Sequence, residues 1–104
     1  MGEHMTVVYI DEDLEDLIPE FLENRRRDID RMKRLVEEGK HEELTQLGHN
    51  LKGSGGGYGF TEISEIGRGI EEAGARGDRE AMASLCERLA TYLATVTVQV
   101  RRPE

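Results

Sequence analysis

The stretch GHNLKGSGGGYGF, residues 48–60, combines one histidine, one lysine and a run of glycines. The residues before it have the leucine spacing of an amphipathic helix, with Leu44, Leu47 and Leu51 on one face. A glycine inside a helix costs about 1 kcal/mol relative to alanine. So many glycines beside one histidine therefore call for a physical reason.

At about 100° per residue, His49 lies on the opposite side of this helix from the leucine face. Lys52 and Gly53 follow it one turn later on the same side, and Gly56 another turn on. Glycines leave a ring open to close approach by another molecule, and a lysine offers a positive charge beside it. Since a neutral imidazole is a good nucleophile, the pattern indicates transfer of an anionic group.

His49-x-x-Lys52-Gly53-Ser54, followed by small residues and Tyr58-Gly59, resembles the signature of histidine-containing phosphotransfer (HPt) domains. These domains are the intermediate carriers of multistep phosphorelays. Residues 58–61 also resemble the phosphotransfer domain of chemotaxis histidine kinases, and the helical pattern extends the resemblance over about residues 14–93.

The resemblance implies that His49 is the phosphoacceptor and that Lys52 stabilises the phosphoryl group. It also implies that a glutamate on the following helix orients the histidine ring, and the spacing matches Glu71; a solvated acidic pair with Glu72 is the alternative. Arg68 lies one turn earlier. The residues expected to contact the partner are Thr45, Gln46, Gly53, Gly56 and Arg68.

The implied partner is the receiver domain of a response regulator, which would bring its own acidic pocket and Mg²⁺; a hybrid histidine kinase is a further partner. We expect no cofactor or metal site in this chain. The glycine run contains neither the Gly-x-x-x-x-Gly-Lys-Ser/Thr loop that binds nucleoside triphosphates nor the Gly-x-Gly-x-x-Gly loop that binds dinucleotides. A single cysteine with no paired histidines gives no zinc site. The chain is therefore expected to be a carrier and not an enzyme.

The 104 residues suffice for one domain, and 22 acidic against 14 basic side chains give a net charge of −8. Such a charge argues against nucleic acid or an anionic membrane as the partner. No run is apolar for long enough to span a bilayer.

Cys86 is the only cysteine, so no internal disulfide forms and a cytoplasmic location is expected. A single-histidine carrier of this size is expected to be a monomer.

The fold class predicted is all-α: an antiparallel up-down-up-down four-helix bundle with a short extra N-terminal helix. In the short helix Leu14, Leu17 and Ile18 would face the core, and Pro19 would push Ile18 out of the helical region. The long helices are predicted over residues 19–38, from 41 to 55 or 56, from 60 or 61 to about 74, and after a cap at Asp78 to about 93.

The segments at the two ends are β-prone, residues 6–10 and 95–100, and are predicted to meet as a small two-stranded pair. Residues 1–5 resemble the remnant of a cloning vector, which leaves 6–104 as a single HPt-like domain. Two alternatives stay open. The first is that the chain is a helical interaction module that acts without phosphate. The second is that it is a fragment of a larger hybrid histidine kinase.

Overall fold

Four antiparallel α-helices form a bundle in the computed structural model, which describes residues 6–102. The helices are α1 (Ile18–Glu37), α2 (His41–Gly57), α3 (Thr61–Arg76) and α4 (Arg79–Thr95). A 3₁₀ helix, Glu12–Leu17, precedes α1, and the strands β1 (Thr6–Asp11) and β2 (Val96–Arg101) flank the bundle. The predicted all-α bundle, its short N-terminal helix and the pairing of the end segments are thus confirmed. The interpretation of residues 1–5 lies outside the described residues.

Apolar side chains at helical spacing form the core. On α3, Ile63, Ile66 and Ile70 are fully buried, and they belong to the same core cluster as Leu44 and Leu51 of α2. The other helices contribute Phe21, Leu22, Ile29, Met32, Leu35, Met82, Cys86, Leu89, Tyr92 and Leu93. Burial raises the pKa of the Cys86 thiol to about 11, so this cysteine is an unreactive part of the core.

The turn between α3 and α4 has the residues that such a turn requires. Gly77 has a φ of 68°, in the left-handed region, and its N–H donates to the last carbonyls of α3. Asp78 then caps α4, where its Oδ1 accepts a hydrogen bond of 3.1 Å from the N–H of Ala81. The predicted cap is confirmed.

The entry into α1 differs from the prediction. Ile18 is helical, with φ −67° and ψ −44°, although it precedes Pro19. Its side chain is 4% exposed, and burying an isoleucine contributes about 1.5–3 kcal/mol, which offsets the steric preference before proline. Leu17 is 50% exposed and does not face the core. Leu17 is the last residue of the 3₁₀ helix, which runs straight into α1, and its side chain points about 100° away from that of the next residue, Ile18.

The two strands pair in parallel, with Thr6 opposite Val96 and Asp11 opposite Arg101. The whole bundle therefore serves as the connection that parallel strands need. Ile10 is 3% exposed and joins the core. Arg102 fixes the end of β2 to the 3₁₀ helix, because its guanidinium lies 3.0 Å from a Glu15 carboxylate oxygen. No helix among residues 6–102 is long and apolar enough to cross a membrane.

Candidate functional site

His49 lies in the middle of α2 on the outer surface of the bundle. Its side chain is 54% exposed, whereas Leu44 and Leu51 of the same helix are buried. This is the outward placement that the leucine spacing predicted.

Glycines bring the backbones of α2 and α3 into close contact beside His49. A Cβ atom on Gly67 of α3 would lie 2.5 Å from the backbone nitrogen of Lys52 and 2.6 Å from the carbonyl oxygen of Gly48. A Cβ on Gly55 would lie 2.7 Å from the backbone nitrogen of Ser64. Because these neighbours are main-chain atoms, they have little freedom to move away. The helices therefore approach as closely as they do only with glycine at these positions.

This close approach brings Glu71 of α3 to the histidine. The Nδ1 atom of His49 lies 2.9 Å from Oε2 of Glu71. The Nζ atom of Lys52 lies 3.0 Å from Oε1 of the same carboxylate. One glutamate thus contacts both the histidine and the lysine that the sequence singled out.

The protonation state of this cluster follows from its contacts. Hydrogen bonds from Lys52 and then from His49 lower the pKa of Glu71 below the ordinary value of 4.5. An ionised carboxylate only accepts hydrogen bonds, so Nδ1 of His49 carries the proton. The lone pair of a neutral His49 ring is then on Nε2.

The five glycines of the stretch 48–60 that lie in α2 fall into two groups. Gly48 and Gly55 are buried against α3. Gly53 and Gly57 are exposed, and a Cβ on either would meet no atom within 4 Å in the described part of the chain, apart from the adjacent backbone of α2. The interpretation that glycines keep the histidine accessible therefore applies to the outer group alone, which includes Gly56. The inner group is needed for helix packing.

Thr45 and Gln46 line a cavity of about 510 Å³ together with His49 and Glu71. The Thr45 hydroxyl donates to the His41 carbonyl at 2.7 Å, and Gln46 donates to the side-chain oxygen of the neighbouring Asn50 at 3.2 Å. Both are near the histidine, as their places one turn before it require.

Arg68 is not part of the cluster. Its Nε atom lies 3.9 Å from Oε2 of Glu72 on its own helix, and it makes no hydrogen bond to His49 within residues 6–102. Glu72 is therefore the solvated acidic residue of the pair, and Glu71 contacts the histidine.

Ser64 supports the site and was not predicted. Its hydroxyl donates to the Lys52 carbonyl at 2.7 Å, which links α3 to α2 at the base of the lysine. Nothing in the local sequence distinguishes it from other polar residues of α3. Among residues 6–102, no group of three or more His, Cys, Asp and Glu side chains is arranged to hold a metal ion.

A family model described as the Hpt domain matches residues 16–98, which include the cluster and all four helices of the bundle. The chain belongs to the Hpt domain family. Domains of this family carry phosphoryl groups on histidine in phosphorelays and interact with the receiver domains of response regulators. A search of curated proteins and a search of solved structures each found no significant match.

Replacing Glu71 by alanine is expected to leave the His49 ring as a mixture of both neutral tautomers and to slow phosphoryl transfer about tenfold. Glutamine at this position keeps a carbonyl acceptor for the Nδ1 proton, so Glu71→Gln should have the smaller effect. Nitrogen NMR of the histidine ring reports the tautomer directly. A ring that stays protonated on Nδ1 in Glu71→Ala would show that Glu71 does not orient it.

The same carboxylate should make folding stability depend on pH. Since the folded-state pKa of Glu71 is lowered, its ionised form stabilises the fold above its ordinary pKa of 4.5. That contribution is lost as the pH falls through the lowered value. Denaturation curves of the protein and of Glu71→Gln should therefore differ at neutral pH and converge in acid.

Proposed function

We propose that His49 carries a phosphoryl group that it takes from, or gives to, the aspartate of a response-regulator receiver domain. The contact between His49 and Glu71 carries this proposal. A hydrogen bond of 2.9 Å at Nδ1 orients an exposed ring and leaves its other nitrogen free to react. A histidine with only structural importance would need neither the exposure nor the carboxylate.

In the transfer step, the Nε2 lone pair of His49 attacks the phosphorus of the receiver's aspartyl phosphate. A nitrogen–phosphorus bond forms, the bond from phosphorus to the aspartate oxygen breaks, and the aspartate leaves as a carboxylate. The ring keeps its Nδ1 proton and becomes positively charged. The adjacent ionised Glu71 balances that charge. The reverse sequence returns the phosphoryl group.

Lys52 supplies the positive charge nearest to the incoming phosphoryl group. Its ammonium has three donors, of which one contacts Glu71 at 3.0 Å. The others remain for phosphoryl oxygens. The receiver is expected to bring Mg²⁺ and the acidic pocket that holds it, so this chain needs no cofactor. We regard it as a monomeric carrier that does not phosphorylate itself from ATP.

The docking surface comprises the exposed sides of α2 and α3 around His49. We place Thr45, Gln46, Arg68 and the outer glycines Gly53 and Gly56 there. Small side chains next to the ring let the receiver approach until the aspartyl phosphate meets Nε2. A hybrid histidine kinase that contains a receiver domain is a partner of the same chemistry.

The test is transfer between purified proteins. Receiver domains from the same genome are charged with acetyl phosphate and mixed with this protein, and intact masses are recorded at neutral and at acid pH. A phosphoryl adduct that disappears in acid supports phosphohistidine. If no receiver gives an adduct, the chain acts as an interaction module without phosphate and the proposal fails.

The variant Gly53→Arg is expected to reduce transfer at least about a hundredfold, because the new side chain occupies the path of the receiver. Apart from the backbone of its own stretch of helix, no atom of residues 6–102 lies within 4 Å of the position of a Cβ on Gly53, so the bundle should fold normally. Gly53→Ala is the matched control and should transfer at nearly the normal rate. Normal transfer in Gly53→Arg would contradict the argument that the receiver must approach closely here.

A further inference from the structure

A cavity of about 400 Å³ lies beside β1, at the end of the bundle where α3 begins. Its walls include Thr6, Val7, Val8 and Tyr9 of β1, and Glu62 and Glu65 of α3. Gly59, which also lines it, lies just beyond the end of α2 at Gly57, and Gly57 is eight residues after His49, or about 12 Å along the helix axis. The cavity is therefore separate from the cluster around His49.

The cavity follows the edge of β1 that β2 does not cover. Four consecutive residues of β1 line it, but β2 contributes only Arg101. Successive side chains of a strand point to opposite faces of the sheet, so a cavity that is lined by consecutive residues runs along the edge of the strand. No hydrogen bond joins the β1 backbone to α3 or α4 in the described part of the chain. An edge with unpaired N–H and C=O groups is a template for another strand.

The hydroxyl of Tyr92 is a second sign that this cavity takes a ligand. Tyr92 is 4% exposed and lines the cavity, yet its hydroxyl has no hydrogen-bond partner among residues 6–102. A buried polar group without a partner is costly and uncommon. Burial, together with the charge of Glu62, raises the pKa of Tyr92 to about 12. The hydroxyl is therefore a donor at neutral pH.

The side chains around the edge define the chemistry of the occupant. On the outer face of β1, Val7 and Tyr9 are 41% and 53% exposed, so a neighbouring strand would place apolar side chains beside them. On the inner side, Glu62 and Glu65 of α3 line the cavity. Glu62 has a partner in Arg88, 3.6 Å away, whereas Glu65 makes no ion pair with any residue from 6 to 102.

We propose that this edge binds an extended peptide segment of a partner protein, which adds to β1 as a third strand and alternates apolar with basic side chains. Its apolar residues pack on Val7 and Tyr9, and a lysine or arginine pairs with Glu65. A polar group of the segment accepts the hydrogen bond from Tyr92. Main-chain hydrogen bonds give such a complex affinity, and the alternating side chains give it specificity.

A second copy of this chain fits the edge poorly. Residues 6–11 of β1 contain no basic side chain, so antiparallel pairing of two β1 strands brings the glutamates of both copies together. The cation that each copy adds to this cavity is Arg101, whose guanidinium already lies over the Tyr9 ring of its own chain. With a net charge of −8 per chain, the repulsion opposes that pairing. A basic segment is attracted by the same charge.

The probes are two capped heptapeptides, VKVKVKV and VEVEVEV, titrated into the nitrogen-labelled protein. We expect the lysine peptide alone to shift the backbone amides of residues 6–9 and of the first turns of α3, and to protect the outer amides of β1 from hydrogen exchange. Glu65→Gln should weaken this binding about two- to fivefold. Glu87→Gln removes the same charge from an exposed position on α4 and should bind normally.

Tyr92→Phe gives an independent readout. Loss of an unpartnered hydroxyl should leave thermal stability unchanged or raise it, while peptide affinity falls about two- to tenfold. Equal binding of both peptides, shifts outside β1 and α3, or concentration-dependent dimers that protect β1 without peptide would each overturn the proposal. Phosphoryl transfer by Glu65→Gln should be normal, so failure of the transfer assay has no bearing on this result.

Discussion

Replacing His49 by glutamine is expected to abolish phosphorylation of this protein by any receiver domain. The amide of glutamine has about the size and polarity of the ring but no nucleophilic lone pair on nitrogen. Nothing else in the cluster can replace it, because Lys52 is a charged ammonium and Glu71 an ionised carboxylate. The loss should be complete within the detection limit of intact mass spectrometry.

Two controls make this result specific. His41→Gln changes another histidine on α2, two turns earlier, and should retain transfer. Circular dichroism of His49→Gln should match that of the unmodified protein, since the ring is 54% exposed and supports no core packing. An acid-labile phosphate on His49→Gln would show that another residue is the acceptor.

Replacing Gly67 by alanine is expected to destabilise the bundle far more than adding the same methyl group at Gly53. The new Cβ would lie 2.5 Å from the backbone nitrogen of Lys52 and 2.6 Å from the carbonyl oxygen of Gly48. Because both are main-chain atoms, α2 and α3 must separate. Overpacking of this kind costs about 1–3 kcal/mol, and more where backbone must move. The melting temperature should fall by about 10–15 °C, as expected for a domain of this size.

Gly53→Ala is the matched control, since it adds the same methyl group to a helical glycine with open space around it. There the better helix propensity of alanine should raise stability by up to about 1 kcal/mol. Thermal unfolding followed by circular dichroism compares the two variants. If Gly67→Ala is as stable as Gly53→Ala, the close approach of the helices does not depend on Gly67.

The two glycine variants also separate folding from transfer. Gly67→Ala should lengthen the contact between His49 and Glu71, because the two residues are on the helices that it forces apart. Its transfer rate should therefore fall even at temperatures at which the protein is folded. Gly53→Ala changes neither the helix separation nor the cluster.

The helices and the outward direction of His49 could be predicted from the sequence because both depend on local order. Apolar residues recur every three or four positions, as in Ile63, Ile66 and Ile70, and a capping residue such as Asp78 marks where a helix begins. The helical period of the leucines then decides which side of α2 is buried. Leu44 and Leu51 fixed the core side, and His49 had to lie opposite.

What the tertiary structure alone decided is how far apart the elements lie and how they are turned. Local patterns put Gly67 on the apolar face of α3 and Gly53 on the outer side of α2, but they do not give the distance between the two helices at Gly67. Nor do they separate Glu71, which reaches His49, from Arg68, which does not. The parallel direction of β1 and β2 and the exposure of Leu17 have the same origin. Each depends on contacts between segments far apart in sequence, and side-chain volume at those contacts sets the distance between the helices.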